Sequence, residues 1–78
     1  MKFFKEADLI RESNESVEWK EFVDKKGKVV LARRIEGPFC VAYRSQDLYC
    51  SNGFLVVDKD MAYPVVFDLF ESNYSLSK

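Results

Sequence analysis

The sequence predicts one small α+β domain, mainly β, in which an antiparallel meander of about five short strands forms a half-open barrel closed by a short C-terminal helix. Apolar residues make up 47% of the 78 residues and aromatic residues 15%, so a short chain carries many large core side chains. Turn signals recur at roughly ten-residue intervals, which is typical of small β folds. No linker, repeat or low-complexity segment divides residues 1–78.

The N-terminal segment, residues 1–14, is compatible with two structures. Its apolar residues fall at helical spacing, which favours a short helix, but an irregular arm across the core fits as well. Residues 17–66 are predicted to form the meander. Within it, residues 17–23 are predicted as the first strand because they alternate at first and lead into a turn.

Turn chemistry defines the first hairpin. Asp24 stands at the first position of a turn and Gly27 at the fourth, which is typical of a type I turn closed by a residue with positive φ. Residues 28–35 are rich in β-branched side chains and are predicted as the outgoing strand. Further strands are predicted over residues 39–44, 48–50, 54–57 and 62–65.

Three features mark the C-terminal half. Asn52-Gly53 is the strongest turn signal, since this dipeptide tolerates two successive positive φ values. Pro64 cannot donate a ladder hydrogen bond, so its strand is an edge or ends there. Phe67, Phe70 and Tyr74 lie at helical spacing, which predicts a helical clasp over residues 67–74 with one aromatic face that closes the core.

Several function classes are disfavoured by composition. The chain has no histidine, which removes the commonest general base, zinc ligand and partner of a nucleophile. It also lacks a glycine-rich phosphate loop, and it is too short to enclose a sizeable pocket. Asp58 and Asp60 flank Lys59 on one turn and could bind a divalent metal ion. The usual full set of ligands is missing, so a solvated turn is the preferred interpretation. We therefore expect no enzyme activity, no cofactor and no metal.

The two cysteines are expected to be free thiols. In a hairpin that turns at Ser45-Gln46, Cys40 and Cys50 point to opposite faces, which prevents a disulfide; a turn one residue longer would reverse this. The first ten residues contain no apolar run of signal-peptide length, and no window is long enough to span a membrane. A cytoplasmic location is predicted.

A cluster of positive charge is the main functional signal. Residues 25–34 carry a net charge of +5, whereas residues 1–24 and 35–78 each carry −3. Such a patch favours an anion-facing surface, and tyrosines are preferred interface anchors. The alternative is a solvated hairpin whose lysines protect a strand edge. The candidate binding residues are Lys25, Lys26, Lys28, Arg33, Arg34, Tyr43 and Tyr49.

The C-terminal part also carries a spaced motif, which consists of a strand, a Tyr-Pro pair and four residues at set intervals. These are Phe54-Leu55-Val56-Val57, Tyr63-Pro64, Asp68, Phe70, Glu71 and Tyr74. The motif resembles a group of small bacteriophage and prophage proteins of unknown function named for a Pro-Gly-Asp-Tyr-Gly-type motif. The resemblance covers residues 38–74 and, more weakly, 25–35, where Lys25–Val30 is similar to the basic start of a leading strand in that group.

The motif departs from the family pattern at two places. Ser51-Asn52-Gly53 replaces the Pro-Gly-Asp turn, and the spacing from Phe54 to Tyr63 is one residue shorter. The resemblance implies a phage or prophage origin and a small β-rich fold, and it implies no activity.

Three functions follow as hypotheses. The first is a phage- or prophage-type accessory protein that acts by binding another protein, such as one of a bacterial host, through the basic hairpin and nearby tyrosines. The second is a weak nucleic-acid-binding module that uses the same patch; the acidic flanks and the lack of interleaved aromatic residues disfavour it. The third is a structural domain that self-associates through the Pro64 edge.

Overall fold

A computed structural model describes residues 1–15 and 18–76. The chain is mainly β, with 55% of these residues in strands and 20% in helices. The described residues form eight strands and two helices: β1 (Lys2–Lys5), α1 (Glu6–Ser13), β2 (Lys20–Asp24), β3 (Val29–Ile35), β4 (Phe39–Tyr43), β5 (Gln46–Cys50), β6 (Gly53–Asp58), β7 (Met61–Val66), α2 (Phe67–Asn73) and β8 (Tyr74–Leu76).

The strands are divided between two sheets. A five-stranded antiparallel sheet has the order β7-β6-β3-β2-β8, and a three-stranded sheet has the order β1-β4-β5 with β1 parallel to β4. The predicted single antiparallel meander is therefore wrong, because β3 pairs with β6 and not with β4. The described strands form no closed barrel; the half-open barrel stays a prediction.

The break between β3 and β4 has a physical reason. Gly37 and Pro38 end the run of ladder hydrogen bonds, and the chain crosses to the second layer. There Phe39 and Val41 are fully buried in the same apolar cluster as Leu55 of β6. Placing β4 opposite the large sheet, and not beside β3, buries these side chains between two layers.

The N-terminal segment combines a strand and a helix. β1 pairs with β4, and α1 then packs through Leu9, its buried apolar residue. The helical interpretation is correct for Glu6–Ser13 but wrong for Phe3, because pairing with a distant strand overrides local spacing. Val17, where the first meander strand was predicted to begin, lies outside the described residues, and β2 begins at Lys20.

The five-stranded sheet has an apolar cluster on each face. The cluster between the sheets contains Leu9, Trp19, Ile35, Phe39, Val41, Cys50, Leu55, Val57 and Ala62. The cluster on the other face contains Val30, Ala32, Val56 and Phe70, with Phe22, Phe54, Tyr63, Val65 and Tyr74 packed against it. The sheet is thus covered on both faces, by the small sheet with α1 and by the C-terminal segment.

The predicted C-terminal helix is present as α2. It begins at Phe67 and ends at Asn73, after which Tyr74 opens β8 and pairs with Asp24 of β2. The short strand β8 was not predicted. A three-residue strand has too few residues to show alternation, so only its pairing with β2 identifies it.

The β4–β5 hairpin turns one residue earlier than predicted. Tyr43 pairs with Gln46, so Arg44 and Ser45 form the turn, and Arg44 has φ 56°. Cys40 pairs with Tyr49 and not with Cys50, and the two cysteines point to opposite faces as predicted. Both are free and buried.

The Asn52-Gly53 segment differs from the prediction. Neither residue has a positive φ, and Gly53 is buried as the first residue of β6. The strands on either side belong to different sheets, so no two-residue hairpin joins them. The glycine is required by a close approach of β7, for which the sequence carries no separate signal.

The turn from β2 to β3 matches the sequence prediction. Oδ1 of Asp24 accepts hydrogen bonds from the amides of Lys26 and Lys28, both at 2.9 Å, and Gly27 has φ 86°. These amide hydrogen bonds, led by that of Lys28, lower the pKa of Asp24 below its ordinary value of 3.8 despite opposing desolvation. The ionised Asp24 carboxylate therefore stabilises the folded turn at pH values above 3.8.

We expect Asp24→Asn to be less stable than the wild type at pH 7, with a difference that narrows in acid. Because the folded pKa of Asp24 is below its unfolded value, its contribution is lost as the pH falls through the folded pKa. Urea unfolding of both proteins between about pH 7 and pH 2 measures this difference. A difference that stays constant over this range would contradict the prediction.

Candidate binding groove

The five basic residues of the predicted patch lie at two separate positions along the β2–β3 hairpin. Lys25 and Lys26 are exposed at the tip of the β2–β3 hairpin. Arg33 and Arg34 lie near the far end of β3, roughly 16 Å or more from Lys28 along an extended strand. The five residues are therefore spread along the length of β3 and are not one compact cluster.

Lys28 neutralises a buried carboxylate. Its Nζ lies 2.7 Å from Oδ2 of Asp58, a buried residue at the end of β6. The hydrogen bond to Asp58 is the main cause that raises the pKa of Lys28, against an opposing effect of desolvation. Oδ1 of Asp58 has no hydrogen-bond partner among the described residues. Lys28 therefore has an internal partner and offers little charge to another molecule.

Arg33 is also engaged within the chain. Its Nη1 lies 2.6 Å from Oε2 of Glu12, and its Nε lies 3.2 Å from Oε1 of Glu18. The same Glu12 oxygen accepts a hydrogen bond from Nε1 of Trp19 at 3.1 Å. This network connects α1 to β3, so Arg33 has a structural role between them.

Arg34 has a different environment. Its guanidinium carbon lies 4.3 Å from the ring centroid of Phe67 and 5.7 Å from that of Phe54. Its Nη2 donates a hydrogen bond to Oδ1 of Asn52 at 3.3 Å. No carboxylate of the described residues forms an ion pair with it. The ring contacts hold a planar group that can bind an incoming carboxylate through two hydrogen bonds.

A second basic residue lies on the same sheet face. Lys20 of β2 pairs with Ala32 of β3, and Ala32 and Arg34 point to the same side of β3. Lys20 and Arg34 are therefore diagonal neighbours, about 7–8 Å apart at their backbones. Both side chains are exposed and positively charged, so this face favours an anion over a cation.

These residues line a groove of about 510 Å³, hereafter the Lys20–Arg34 groove. Ala32 lies between the two basic residues, where its small side chain leaves space. Phe22 and Phe54 form an apolar wall, with their rings edge to face at 6.0 Å. The lining residues, which carry a formal charge of +2, are Glu18, Lys20, Phe22, Ala32, Arg33, Arg34 and Phe54.

The predicted tyrosines lie elsewhere. Tyr49 is exposed on the outer face of the three-stranded sheet, away from the groove. Tyr43 is half-buried, where its ring meets Tyr63 edge to face at 6.4 Å and its hydroxyl donates to Sδ of Met61 at 3.6 Å. Arg34 is thus the one predicted site residue that both lines the groove and lacks a carboxylate partner in the described chain.

Sequence reasoning missed Lys20, Phe22 and Phe54. One signal was available in the sequence. Residues two apart in a strand share a face, which applies to Lys20 with Phe22 and to Ala32 with Arg34. The strand register that brings the two pairs together with Phe54 could not be read from either strand alone.

The open edge of β7, where self-association was predicted, offers few hydrogen-bond donors. The amide of Ala62 donates to Oε2 of Glu6 at 3.2 Å, so it points away from β6. Pro64, two residues further, is oriented the same way in an extended strand and has no N–H. A partner strand would find neither donor free, which disfavours pairing at this edge.

Among residues 1–15 and 18–76, no three His, Cys, Asp or Glu side chains are grouped so that they could hold a metal ion. Within the same residues, neither helix has the length and apolar character needed to cross a membrane.

Comparison of the chain with protein-family models, curated proteins and solved structures finds no match. The resemblance to small phage proteins therefore stays a prediction.

Proposed function

We propose that the chain is a small phage- or prophage-type accessory protein that acts in the cytoplasm by binding another protein, with no catalysis of its own. The observation that carries the proposal is the Arg34 guanidinium, which lies over the ring of Phe67, has no carboxylate partner among the described residues and lines the same groove as Lys20, Phe22 and Phe54. The proposed partner is a bacterial host protein that presents an acidic side chain next to an apolar one.

The groove suits such a segment for two reasons. A carboxylate can form two parallel hydrogen bonds with the Arg34 guanidinium, and the positive charge of Lys20 in the same groove adds to the attraction. The neighbouring apolar side chain can pack on Phe22 and Phe54, where burial of apolar surface stabilises the complex. The chain as a whole is mildly acidic, with a net charge of −1, so it favours a single anionic group over a long polyanion.

The test is capture of bacterial lysate proteins by the immobilised chain, with crosslinking. We expect Lys20→Glu with Arg34→Glu to abolish specific capture, because the reversed charges repel the acidic segment. The matched control is Lys25→Glu with Lys26→Glu, which makes the same charge change at the hairpin tip and should retain capture. Near-ultraviolet circular dichroism of each variant checks that the aromatic packing is intact.

Three results would contradict the proposal: loss of capture only in the hairpin-tip variant, equal capture by all three proteins, or no specific capture by the wild type. The nucleic-acid alternative is favoured by one observation, the two exposed lysines at the hairpin tip. Capture that is sensitive to nuclease, together with a low-salt gel shift that the tip variant lacks, would support that alternative.

A further inference from the structure

The outer face of the three-stranded sheet carries an uncovered aromatic row. Phe3 of β1 pairs with Cys40 of β4, which pairs with Tyr49 of β5, so the three side chains share one face. Phe3 is 71% exposed and Tyr49 62% exposed, whereas Cys40 between them is 6% exposed. Phe39 and Val41 of β4 point the other way, into the core. Two large rings are therefore exposed to solvent on the face of the sheet that is turned away from the core.

A second row on the same face carries opposite charges at its ends. Lys5 of β1 pairs with Ala42 of β4, which pairs with Asp47 of β5, and all three are exposed. Lys5 and Asp47 are two strand spacings apart, about 10 Å, and form no ion pair within the described chain. Asp8, which borders the same end of the face, is already paired with Arg11 at 3.1 Å.

We propose that this face binds the same face of a second copy of the chain, related by a two-fold axis that runs along β4. Such a rotation places β1 of one copy over β5 of the other. Lys5 then meets Asp47 of the second copy, and Phe3 meets Tyr49 of the second copy, each contact occurring twice. Cys40 and Ala42 lie on the axis, where their small side chains permit close approach of the two sheets.

Charge complementarity selects this axis. A two-fold axis across the strands would place Lys5 over Phe3 and Asp47 over Tyr49 of the second copy, so no opposite charges would meet. The axis along β4 forms two ion pairs and two aromatic contacts from the same six side chains. It also keeps the strands of the two sheets nearly aligned, as face-to-face sheets prefer to within about 30°.

The dimer goes beyond the proposed function and does not depend on it. The Lys20–Arg34 groove lies on the opposite face of the five-stranded sheet from the three-stranded sheet, so both grooves stay open in the dimer. A three-stranded face is small, and we expect a weak, concentration-dependent association. Two grooves on one particle would give avidity for a partner that presents two acidic segments.

Analytical ultracentrifugation at low salt, in a series up to about 1 mM protein, tests the dimer directly. Lys5→Asp alone and Asp47→Lys alone each place like charges together and should raise the dissociation constant about tenfold. The double variant Lys5→Asp with Asp47→Lys restores opposite charges and should return the constant to near the wild-type value. Lys2→Asp changes the same charge on β1 outside this face and should have little effect.

Crosslinking tests the position of the axis. Ala42→Cys introduces an exposed thiol on the axis, and a short bis-maleimide should link two copies, with a lower yield when Lys5→Asp is added. The wild type provides the baseline, since Cys40 and Cys50 are buried. A chain that stays monomeric throughout the series, a double variant that fails to recover, or Ala42→Cys that links no better than the wild type would each overturn the proposal.

Discussion

Phe70→Ala is expected to lower the free energy of unfolding by about 3–5 kcal/mol, the usual loss for a buried phenylalanine. Phe70 is 2% exposed and lies at the centre of the aromatic cluster under α2. Its ring stacks on Phe54 at 3.8 Å and on Tyr74 at 4.6 Å, and it meets Phe22 edge to face at 4.9 Å. Truncation would leave a cavity and remove all three contacts.

Urea unfolding at pH 7 measures this effect, and Leu69→Ala is the matched control. Leu69 precedes Phe70 in the same helix but is 57% exposed, so its truncation should change the free energy of unfolding by about 0.5 kcal/mol or less. Native proteins have a free energy of unfolding of about 5–15 kcal/mol, and small domains lie toward the low end, so the loss at Phe70 is a large share of it. A near-neutral result at Phe70 would mean that these rings form a binding surface and not a core.

Gly53→Ala is also expected to have a large effect, lowering the free energy of unfolding by about 3 kcal/mol or more. A Cβ at this position would lie 2.1 Å from the carbonyl oxygen of Val65 and 2.8 Å from Cα of Val66, both in the backbone of β7. Because Gly53 pairs with Val66 in the β6–β7 ladder, the backbone could give way only by breaking that pairing. Thermal and urea unfolding both report the loss.

Gly27→Ala separates this contact from a general effect of removing glycine. Gly27 has φ 86°, so alanine there is strained by about 1–2 kcal/mol, but nothing lies within 4 Å of the added Cβ. The substitution at Gly53 should therefore cost clearly more than the one at Gly27. Equal losses would show that β7 can move aside and that the close approach is not essential.

Gly53 also matters for the groove. The amide of Phe67 donates to the carbonyl of Asn52 at 3.0 Å, so the start of α2 is attached to the segment that opens β6. Phe67 in turn supports the Arg34 guanidinium, which also contacts Asn52. A shift of β7 away from Gly53 would displace the Phe67 ring on which the Arg34 guanidinium rests. We therefore expect Gly53→Ala to weaken partner binding as well as to lower stability.

Local chemistry predicted the elements that depend on neighbours in sequence. Asp24 and Gly27 predicted their turn because its hydrogen bonds and positive φ involve only four or five adjacent residues. The aromatic spacing after Pro64 predicted α2 and the burial of Phe70 for the same reason. The pairing of β3 with β6 and the parallel pairing of β1 with β4 join distant segments, so no local pattern predicted them.

The candidate site follows the same division. Charge counting identified the basic residues of the 25–34 segment, and Arg34 was among them. It could not show that Asp58 neutralises Lys28 or that Glu12 neutralises Arg33, because both carboxylates come from other elements. Lys20 was missed because its own segment is acidic, and only the pairing of β2 with β3 places it near Arg34.

The sequence by itself determined that this is a β-rich chain with a clasping C-terminal helix, two separate thiols and a concentration of positive charge in one segment. These properties depend on composition and on residues a few positions apart. Tertiary structure alone decided which of the basic residues in that segment form ion pairs, why Gly53 must be glycine and which faces stay open. Each of these depends on strand register and layer packing, which bring together side chains and backbone atoms from distant parts of the chain.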